Sequence, residues 1–209
     1  HNIKRIIFFC LRFGDDIIDL AKSLNKPCVF FTRDVKEKMN YISIDCNSAI
    51  YEITKYLIKE GHKKIAFISD FENRTTIEND KIAGYMKAIE DNGLDYSHVY
   101  VVGSGKQRRA YDFGLSIANE HKDFTAVVCS NDEIAIGIMN SFTDSGINVP
   151  DDVSIVGFGN IRECRFVRPE LTSIGEPYYD VGAVGMRMLI KTIKGDKTQK
   201  GLMELPFTI

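Results

Sequence analysis

The sequence lacks the features of a membrane protein, a secreted protein or a nucleic-acid-binding surface. No apolar run approaches the roughly 18–20 residues of a membrane-spanning helix, and the first residues carry no signal-peptide pattern. The 27 basic and 29 acidic residues leave a net charge of −2, whereas binding to nucleic-acid phosphates relies on a clear basic excess. We therefore expect a soluble protein that does not bind nucleic acid through this chain alone.

Cysteine is scarce, and its pattern is not that of a disulfide framework or a metal site. The five cysteines are odd in number and include no C-x-x-C pair, which is typical of reduced thiols in the cytoplasm. Cys10, Cys28 and Cys129 each lie in an apolar, strand-like run, which favours buried packing over reactivity. The sequence thus predicts a cytoplasmic protein.

Motifs of catalysis and cofactor binding are also missing. There is no phosphate-binding loop, no G-x-S-x-G elbow and no complete G-x-G-x-x-G, since Gly103-Ser104-Gly105 lacks the third glycine. The four histidines are scattered without metal-ligand spacing. The pairs Asp15-Asp16 and Asp151-Asp152 precede predicted elements, so capping and turn formation explain them. These absences favour binding over catalysis, and we expect no enzyme activity, no cofactor and no metal.

What is present is organised around residues 125–160. The apolar run 126–129 is typical of a strand buried on both faces of a parallel sheet, and Ser130-Asn131-Asp132 is a natural N-cap for the helix that follows. A second apolar strand at 153–158 ends in Gly159-Asn160. Ligands of open α/β sheets bind beyond the carboxyl ends of strands, so these two polar ends are the first candidates for a site.

The rest of the chain alternates in the same way, without tandem repeats. Strands are predicted at 6–11, 28–32, 41–44, 65–69, 99–102 and 202–209, and helices at 15–24, 48–60, 81–92, 111–120 and 179–193. A polar loop is predicted at 70–79 and a looser stretch at 161–177. This alternation predicts βαβ units and parallel sheets. Because the chain begins inside a strand, we expect it to be a fragment of something longer.

Five motifs, in order over nearly the whole chain, resemble those of a known family. They are GHKKIAFI at 61–68, GYMKAI at 84–89, NDEIAIG at 131–137, VPDDVSIVGF at 149–158 and RPELTSI at 168–174. The chain resembles the effector-binding core of LacI/GalR-family bacterial transcription regulators. Residues 179–189 are further similar to the catabolite-control and maltose-repressor branch of Gram-positive bacteria.

The resemblance implies an α/β fold of the periplasmic-binding-protein-like type I, with two Rossmann-like subdomains, parallel sheets and a ligand cleft between them. The N-terminal subdomain would hold 1–62 and 177–197, with its first part missing, and the C-terminal subdomain 63–176 and 198–209. The implied function is effector binding and dimerisation in a DNA-binding repressor of carbohydrate metabolism whose helix-turn-helix lies outside this chain. The alternative is a solute-binding protein for sugar uptake. A helix-turn-helix upstream would favour the first, and a signal peptide the second.

The resemblance also implies effector-binding residues. They are Asp45, Thr75, Lys81, Asn131, Gly159 and Asn160. Lys81 stands where many members carry arginine, and Gly159 where they carry aspartate, so the planar guanidinium and the hydroxyl-binding carboxylate are both lost. We therefore expect a phosphorylated or otherwise anionic sugar to bind better than a neutral one. Turn formation or helix capping explains Asp45, Asn131 and Asn160 equally well.

The helix 179–193 carries a second predicted surface. Asp180, Arg187 and Lys191 share one face by their spacing, beside Tyr179. In the catabolite-control branch the matching helix docks the serine-phosphorylated phosphocarrier protein HPr, and an arginine and a lysine one turn apart suit a phosphoserine. The alternative is a solvated face beside the interface of a homodimer. Met186, Met188 and Leu189 crowd the same helix, where we expect dimer contacts.

Overall fold

Strands and helices alternate along the described part of the chain. The computed structural model describes residues 6–9, 19–21, 23, 27–31, 40–70, 75–103, 107–120, 123–195 and 201–209. The strands are β1 (Ile6–Phe9), β2 (Cys28–Phe31), β3 (Asn40–Ile44), β4 (Ile65–Ser69), β5 (Ser97–Val101), β6 (Ala126–Cys129), β7 (Ser154–Gly159), β8 (Thr172–Gly175) and β9 (Leu202–Leu205). The long helices are α1 (Cys46–Lys59), α2 (Thr76–Asp91), α3 (Gln107–Asn119), α4 (Asp132–Asp144) and α5 (Tyr178–Ile193). Residues 19–21 and 23 are also helical, and Arg162–Arg165 form a short 3-10 helix.

The strands form two parallel sheets in two compact units. The first unit comprises His1–Asp45, Thr75–Ile77 and Pro177–Phe207, and the second comprises Cys46–Arg74, Glu78–Glu176 and Thr208–Ile209. The first sheet has the order β1-β2-β3-β9, and the second has the order β5-β4-β6-β7-β8. Every pair of neighbouring strands in both sheets runs parallel. The predicted α/β class with parallel sheets is confirmed.

Helix α5 packs on the sheet of the first unit through one apolar face. Val181, Met188 and Leu189 are buried against Val29 and Ile42 of β2 and β3. This burial determines which side of α5 contacts the sheet, although other sides of the helix also carry apolar residues.

The core of the second unit is built around β4, β6 and α4. All residues of β4 and β6 are buried, as their continuous apolar pattern predicts for central parallel strands. Gly137 brings α4 close to α3, since a Cβ there would lie 2.5 Å from the carbonyl oxygen of Gln107 and 2.7 Å from the Cβ of Ala110. Cys28 and Cys129 are buried as predicted, whereas Cys10 lies outside the described residues.

Two elements differ from the sequence-based prediction. Helix α2 begins at Thr76, so the second half of the predicted loop 70–79 is helical; its acidic Glu78 suits the positive end of a helix. Strand β8 lies in the stretch 161–177 that lacked any predicted element. Four residues, Thr-Ser-Ile-Gly, are too few for a periodic pattern, and only pairing with β7 shows the strand.

The two units divide at other residues than predicted. The predicted boundary at 62 places α1 with the first sheet, whereas α1 groups with the second unit. The prediction places the terminal segment 198–209 in the second subdomain. In the structure, β9 of this segment pairs with β3 in the first sheet. Only Thr208–Ile209 join the second unit, where Thr208 forms an antiparallel bridge with Gly175. An apolar pattern predicts a strand or helix but does not specify its packing partner.

Among the described residues, no helix is both long and apolar enough to span a bilayer.

Candidate functional site

Polar residues of the second unit gather at the carboxyl ends of its central strands. Ser69 is the last residue of β4 and Asp70 follows it, Ser130 and Asn131 follow β6, and Asn160 follows β7. Since parallel strands end at the same edge of a sheet, these residues share that edge. Helix α2 adds the side chains of Glu78, which accepts a hydrogen bond from Ser69, and Lys81, which donates one to Ser130. This edge of the second unit is the candidate functional site.

Lys81 is the cation of this edge and is 8% exposed. Its Nζ donates a hydrogen bond to the carbonyl oxygen of Ser130 at 2.7 Å and lies 3.8 Å from the ring centroid of Phe158. A buried ammonium needs such partners, because an unpaired charge in the interior is costly. Lys81 therefore joins α2 to the ends of β6 and β7.

Asp70 interacts electrostatically with this cation and was not identified from the sequence. It is 9% exposed, and its Oδ2 accepts a hydrogen bond from Nδ2 of Asn131 at 2.9 Å. Burial, and next the charge of Glu78, raise the pKa of Asp70 to about 6, against the opposing effects of Lys81 and the Asn131 hydrogen bond. The position of Asp70 directly after the apolar strand β4 is the sequence signal that could have identified this residue. The sequence suggested that no carboxylate offsets the positive charge of Lys81. The structure instead shows that the carboxyl group of Asp70 interacts with this charge.

Two buried oxygen atoms of this edge have no hydrogen-bond partner among the described residues. They are Oδ1 of Asp70 and Oγ of Ser130. Buried polar atoms are nearly always paired, and an unpaired one costs free energy. The edge therefore has one carboxylate oxygen and one hydroxyl to offer to a hydrogen-bonding ligand.

Asn131 has both a structural role and a place in this site. Its Oδ1 accepts a hydrogen bond from the backbone N–H of Ile134 at 2.9 Å, which caps α4. Its Nδ2 donates to Asp70. The capping explanation is confirmed, and the same side chain also orients the carboxylate of Asp70.

Gly159 and Asn160 have backbone reasons for their identity. Their φ angles are +125° and +51°, a region that glycine and asparagine adopt more readily than other residues. The backbone N–H of Asn160 donates to Oγ of Ser173 at 2.9 Å, and that hydroxyl donates to Oδ1 of Asp132 at 2.5 Å. These contacts fix the turn after β7 independently of any ligand.

The other two predicted effector-binding residues lie in the first unit. Asp45 directly follows β3, and Thr75 directly precedes α2. Both are half-buried. The structure therefore gathers Lys81, Asn131 and Asn160 around one sheet edge of the second unit and describes Asp45 and Thr75 with the first.

The predicted docking residues all lie exposed on α5. Tyr179 is 88% exposed, and Asp180, Arg187 and Lys191 are exposed as well. Met188 and Leu189, two of the apolar residues where dimer contacts are expected, pack against the first sheet. The exposed apolar residues of α5 beyond its first turn are Met186, Ile190 and Ile193. Helical spacing alone did not show which apolar side faces the sheet.

Comparisons with known proteins agree with the fold and extend over the chain. The family model of the periplasmic binding protein-like domain matches residues 54–209. Catabolite control protein A of Priestia megaterium is 35% identical over 213 residues, covering 100% of this chain and 63% of that protein. The HTH-type transcriptional regulator RegA of Clostridium saccharobutylicum is 33% identical, covering 91% of this chain and 58% of that protein.

A solved structure shows the same architecture. The crystal structure of transcription regulator CcpA of Lactococcus lactis has a TM-score of 0.85 and 26% identity to this chain, covering 99% of this chain and 76% of that structure. The chain thus spans about three fifths of the length of the curated relatives it matches.

Proposed function

The chain belongs to the periplasmic binding protein-like domain family, and from that premise we propose that it is the effector-binding domain of a LacI/GalR-type transcription regulator of carbohydrate metabolism. The observation that carries this proposal is the 35% identity to catabolite control protein A, which extends over 100% of the chain. The proposed protein is a cytoplasmic repressor and not an enzyme. Its DNA affinity is set by an effector bound to this domain.

The proposed effector is a sugar or phosphorylated sugar that binds at the carboxyl edge of the second sheet. Buried polar groups that lack partners there, on Asp70 and Ser130, supply hydrogen bonds that a ligand can complete. Of the residues named by the resemblance, Lys81, Asn131, Gly159 and Asn160 belong to this proposed site. Asp45 and Thr75 remain proposed contacts.

The proposed partners follow from the same family. They are a second copy of the chain, operator DNA bound through a helix-turn-helix headpiece outside this chain, and serine-phosphorylated HPr on α5. The net charge of −2 supports the separation of roles, since this chain lacks the basic excess that phosphate binding relies on. The alternative of a solute-binding protein for sugar uptake is not favoured, because both curated relatives carry the names of regulators.

Selection of genomic DNA by the full-length protein tests this function. We expect the purified full-length protein to retain a small set of fragments, and sugars to change the amount retained. The same full-length protein without its helix-turn-helix headpiece is the matched control and should retain none. A full-length protein that binds sugars yet retains no fragment under any condition would favour the uptake alternative.

A further inference from the structure

We propose that Asp70 selects the effector at this site, by accepting a hydrogen bond from a hydroxyl of a neutral, polyhydroxylated sugar and disfavouring phosphorylated sugars. This inference rests on the proposed function, since it names the ligand class of the same sheet edge. It differs from the expectation of an anionic effector, which rested on Lys81 and on the absence of a carboxylate at Gly159.

The first support is the pair of buried atoms without partners. Oδ1 of Asp70 is an acceptor, and Oγ of Ser130 is both donor and acceptor. A sugar hydroxyl can donate to the first and exchange hydrogen bonds with the second. A phosphate group in the place of that hydroxyl could donate little to the carboxylate, would leave Oδ1 of Asp70 unpaired and would add a repulsive charge.

The second support is that the ammonium of Lys81 already has interaction partners within the protein. The ammonium of Lys81 already donates to the carbonyl oxygen of Ser130 and lies over the ring of Phe158. Among the described residues, the carboxyl groups of Asp70 and Glu78 and the ammonium of Lys81 act on the same edge. Oε1 of Glu78 accepts a hydrogen bond from Oγ of Ser69 at 2.6 Å, and Glu78 is buried. Among these three described groups, an anionic ligand therefore meets more negative than positive charge.

Binding of a hydroxyl to the ionised carboxylate couples ligand binding to proton release. Among the described residues, the side chains that act on Asp70 are Glu78 and Lys81 from α2 and Asn131 from the segment after β6. With a pKa of about 6, Asp70 is about half protonated at pH 6 in the free protein. A hydroxyl donor stabilises the ionised form, so binding releases protons near pH 6 and the affinity falls as the pH falls through 6.

Isothermal titration calorimetry with a panel of sugars tests the inference. The probes are ribose, glucose and galactose, each against its 5- or 6-phosphate, at pH 7.5 and 5.5 and in buffers of differing ionisation enthalpy. We expect a neutral sugar to bind more tightly than its ester, to bind more weakly at pH 5.5, and to release protons on binding at pH 6.

Three variants separate the role of Asp70 from a general loss of structure. Asp70→Asn keeps the acceptor for Asn131 and should lose about tenfold or more in affinity at pH 7.5, because hydrogen bonds to charged groups are the strong ones. It should also lose the proton release. Ser130→Ala should weaken binding but keep the proton release, because the carbonyl oxygen that binds Lys81 remains. Asp95→Asn, at an exposed carboxylate of the same unit, should change neither.

The outcomes distinguish a failure of this inference from a failure of the proposed function on which it rests. Tighter binding of an ester than of its neutral sugar overturns the inference and leaves the proposed function standing. Unchanged affinity together with unchanged proton release in Asp70→Asn also overturns the inference and leaves the proposed function standing. If neither sugars nor esters bind the wild-type protein at either pH, the proposed sugar-binding function fails, and the inference fails with it.

Discussion

At the residue scale, Asp70 is a buried carboxyl group whose raised pKa reflects burial and the charge of Glu78, against the opposing charge of Lys81. Asp70 and Lys81 are 9% and 8% exposed, and interior positions of this kind are costly for charged groups. The cation has hydrogen-bond and aromatic partners, whereas one oxygen of the carboxylate has none among the described residues. The free energy cost of this edge therefore falls mainly on the ionised form of Asp70.

Replacing Asp70 with asparagine should change how stability depends on pH. The folded-state pKa of about 6 lies above the ordinary 3.8, so the folded state binds more protons than the unfolded state between these values. The contribution of Asp70 to stability is full below pH 3.8 and is lost as the pH rises through 6. Relative to wild type, Asp70→Asn should therefore be more stable at pH 7 than at pH 4.5, as measured by urea unfolding without ligand.

The control for that measurement is Asp95→Asn, which should keep the pH profile of the wild type. If the difference in stability between Asp70→Asn and wild type is the same at pH 4.5 and pH 7, Asp70 does not titrate with a raised pKa.

Two helical glycines offer a matched pair for the effect of close packing. A Cβ at Gly84 would collide with the carbonyl oxygen of Asn47 and lie 3.1 Å from its Cα. A Cβ at Gly182 meets nothing within 4 Å. Both substitutions to alanine gain the same helix propensity, roughly 1 kcal/mol, so their difference isolates the packing.

Gly84→Ala should destabilise the protein, and Gly182→Ala should stabilise it slightly. Overpacking typically costs about 1–3 kcal/mol, and the obstacle at Gly84 is a backbone that cannot rotate away. Thermal and urea unfolding measure both effects. Equal stability of the two variants would show that α1 and α2 separate at little cost.

At the scale of elements, α5 presents three strips with different chemistry. One strip, with Val181, Met188 and Leu189, is buried on the first sheet. At about 100° per residue, Asp180, Arg187 and Lys191 form a second, exposed strip. The exposed apolar residues Met186, Ile190 and Ile193 fall together on a third, next to Tyr179. A single helix can therefore serve two partners side by side.

Arg187→Ala should weaken binding of serine-phosphorylated HPr and leave the weak binding of unphosphorylated HPr unchanged. The expected loss is about 1.5–3 kcal/mol, the range of hydrogen bonds to charged groups. Surface plasmon resonance with both forms of HPr measures it, with Lys87→Ala on α2 as a control for a lost surface charge. Equal binding of the two HPr forms, or no binding, would leave the polar strip as a solvated face.

At the scale of the whole molecule, the exposed apolar strip of α5 predicts self-association. We expect a homodimer at micromolar concentration, and Ile190→Asp should raise its dissociation constant by about tenfold or more, because a charge at an apolar contact is left desolvated. Analytical ultracentrifugation of the full-length protein measures both. Met86→Asp, at a 41% exposed residue of α2, is the control. A monomer at high micromolar concentration contradicts the prediction.

The sequence by itself determined the α/β class, the parallel strands, most helices and the chemistry at the strand ends. It did so because these features are local: buried parallel strands such as β6 read as continuous apolar runs, and polar caps such as Asn131 follow them directly. The same local signal stood at Asp70 after β4, where sequence analysis could have found it.

Only the tertiary structure decided which elements pack together and which buried groups find partners. The pairing of β9 with β3, the grouping of α1 with the second unit and the burial of Met188 depend on contacts between residues far apart in the chain. The pKa of Asp70 likewise depends on burial and on Glu78 and Lys81 from another element. Free energies of burial and charge pairing belong to the assembled core, and no local pattern contains them.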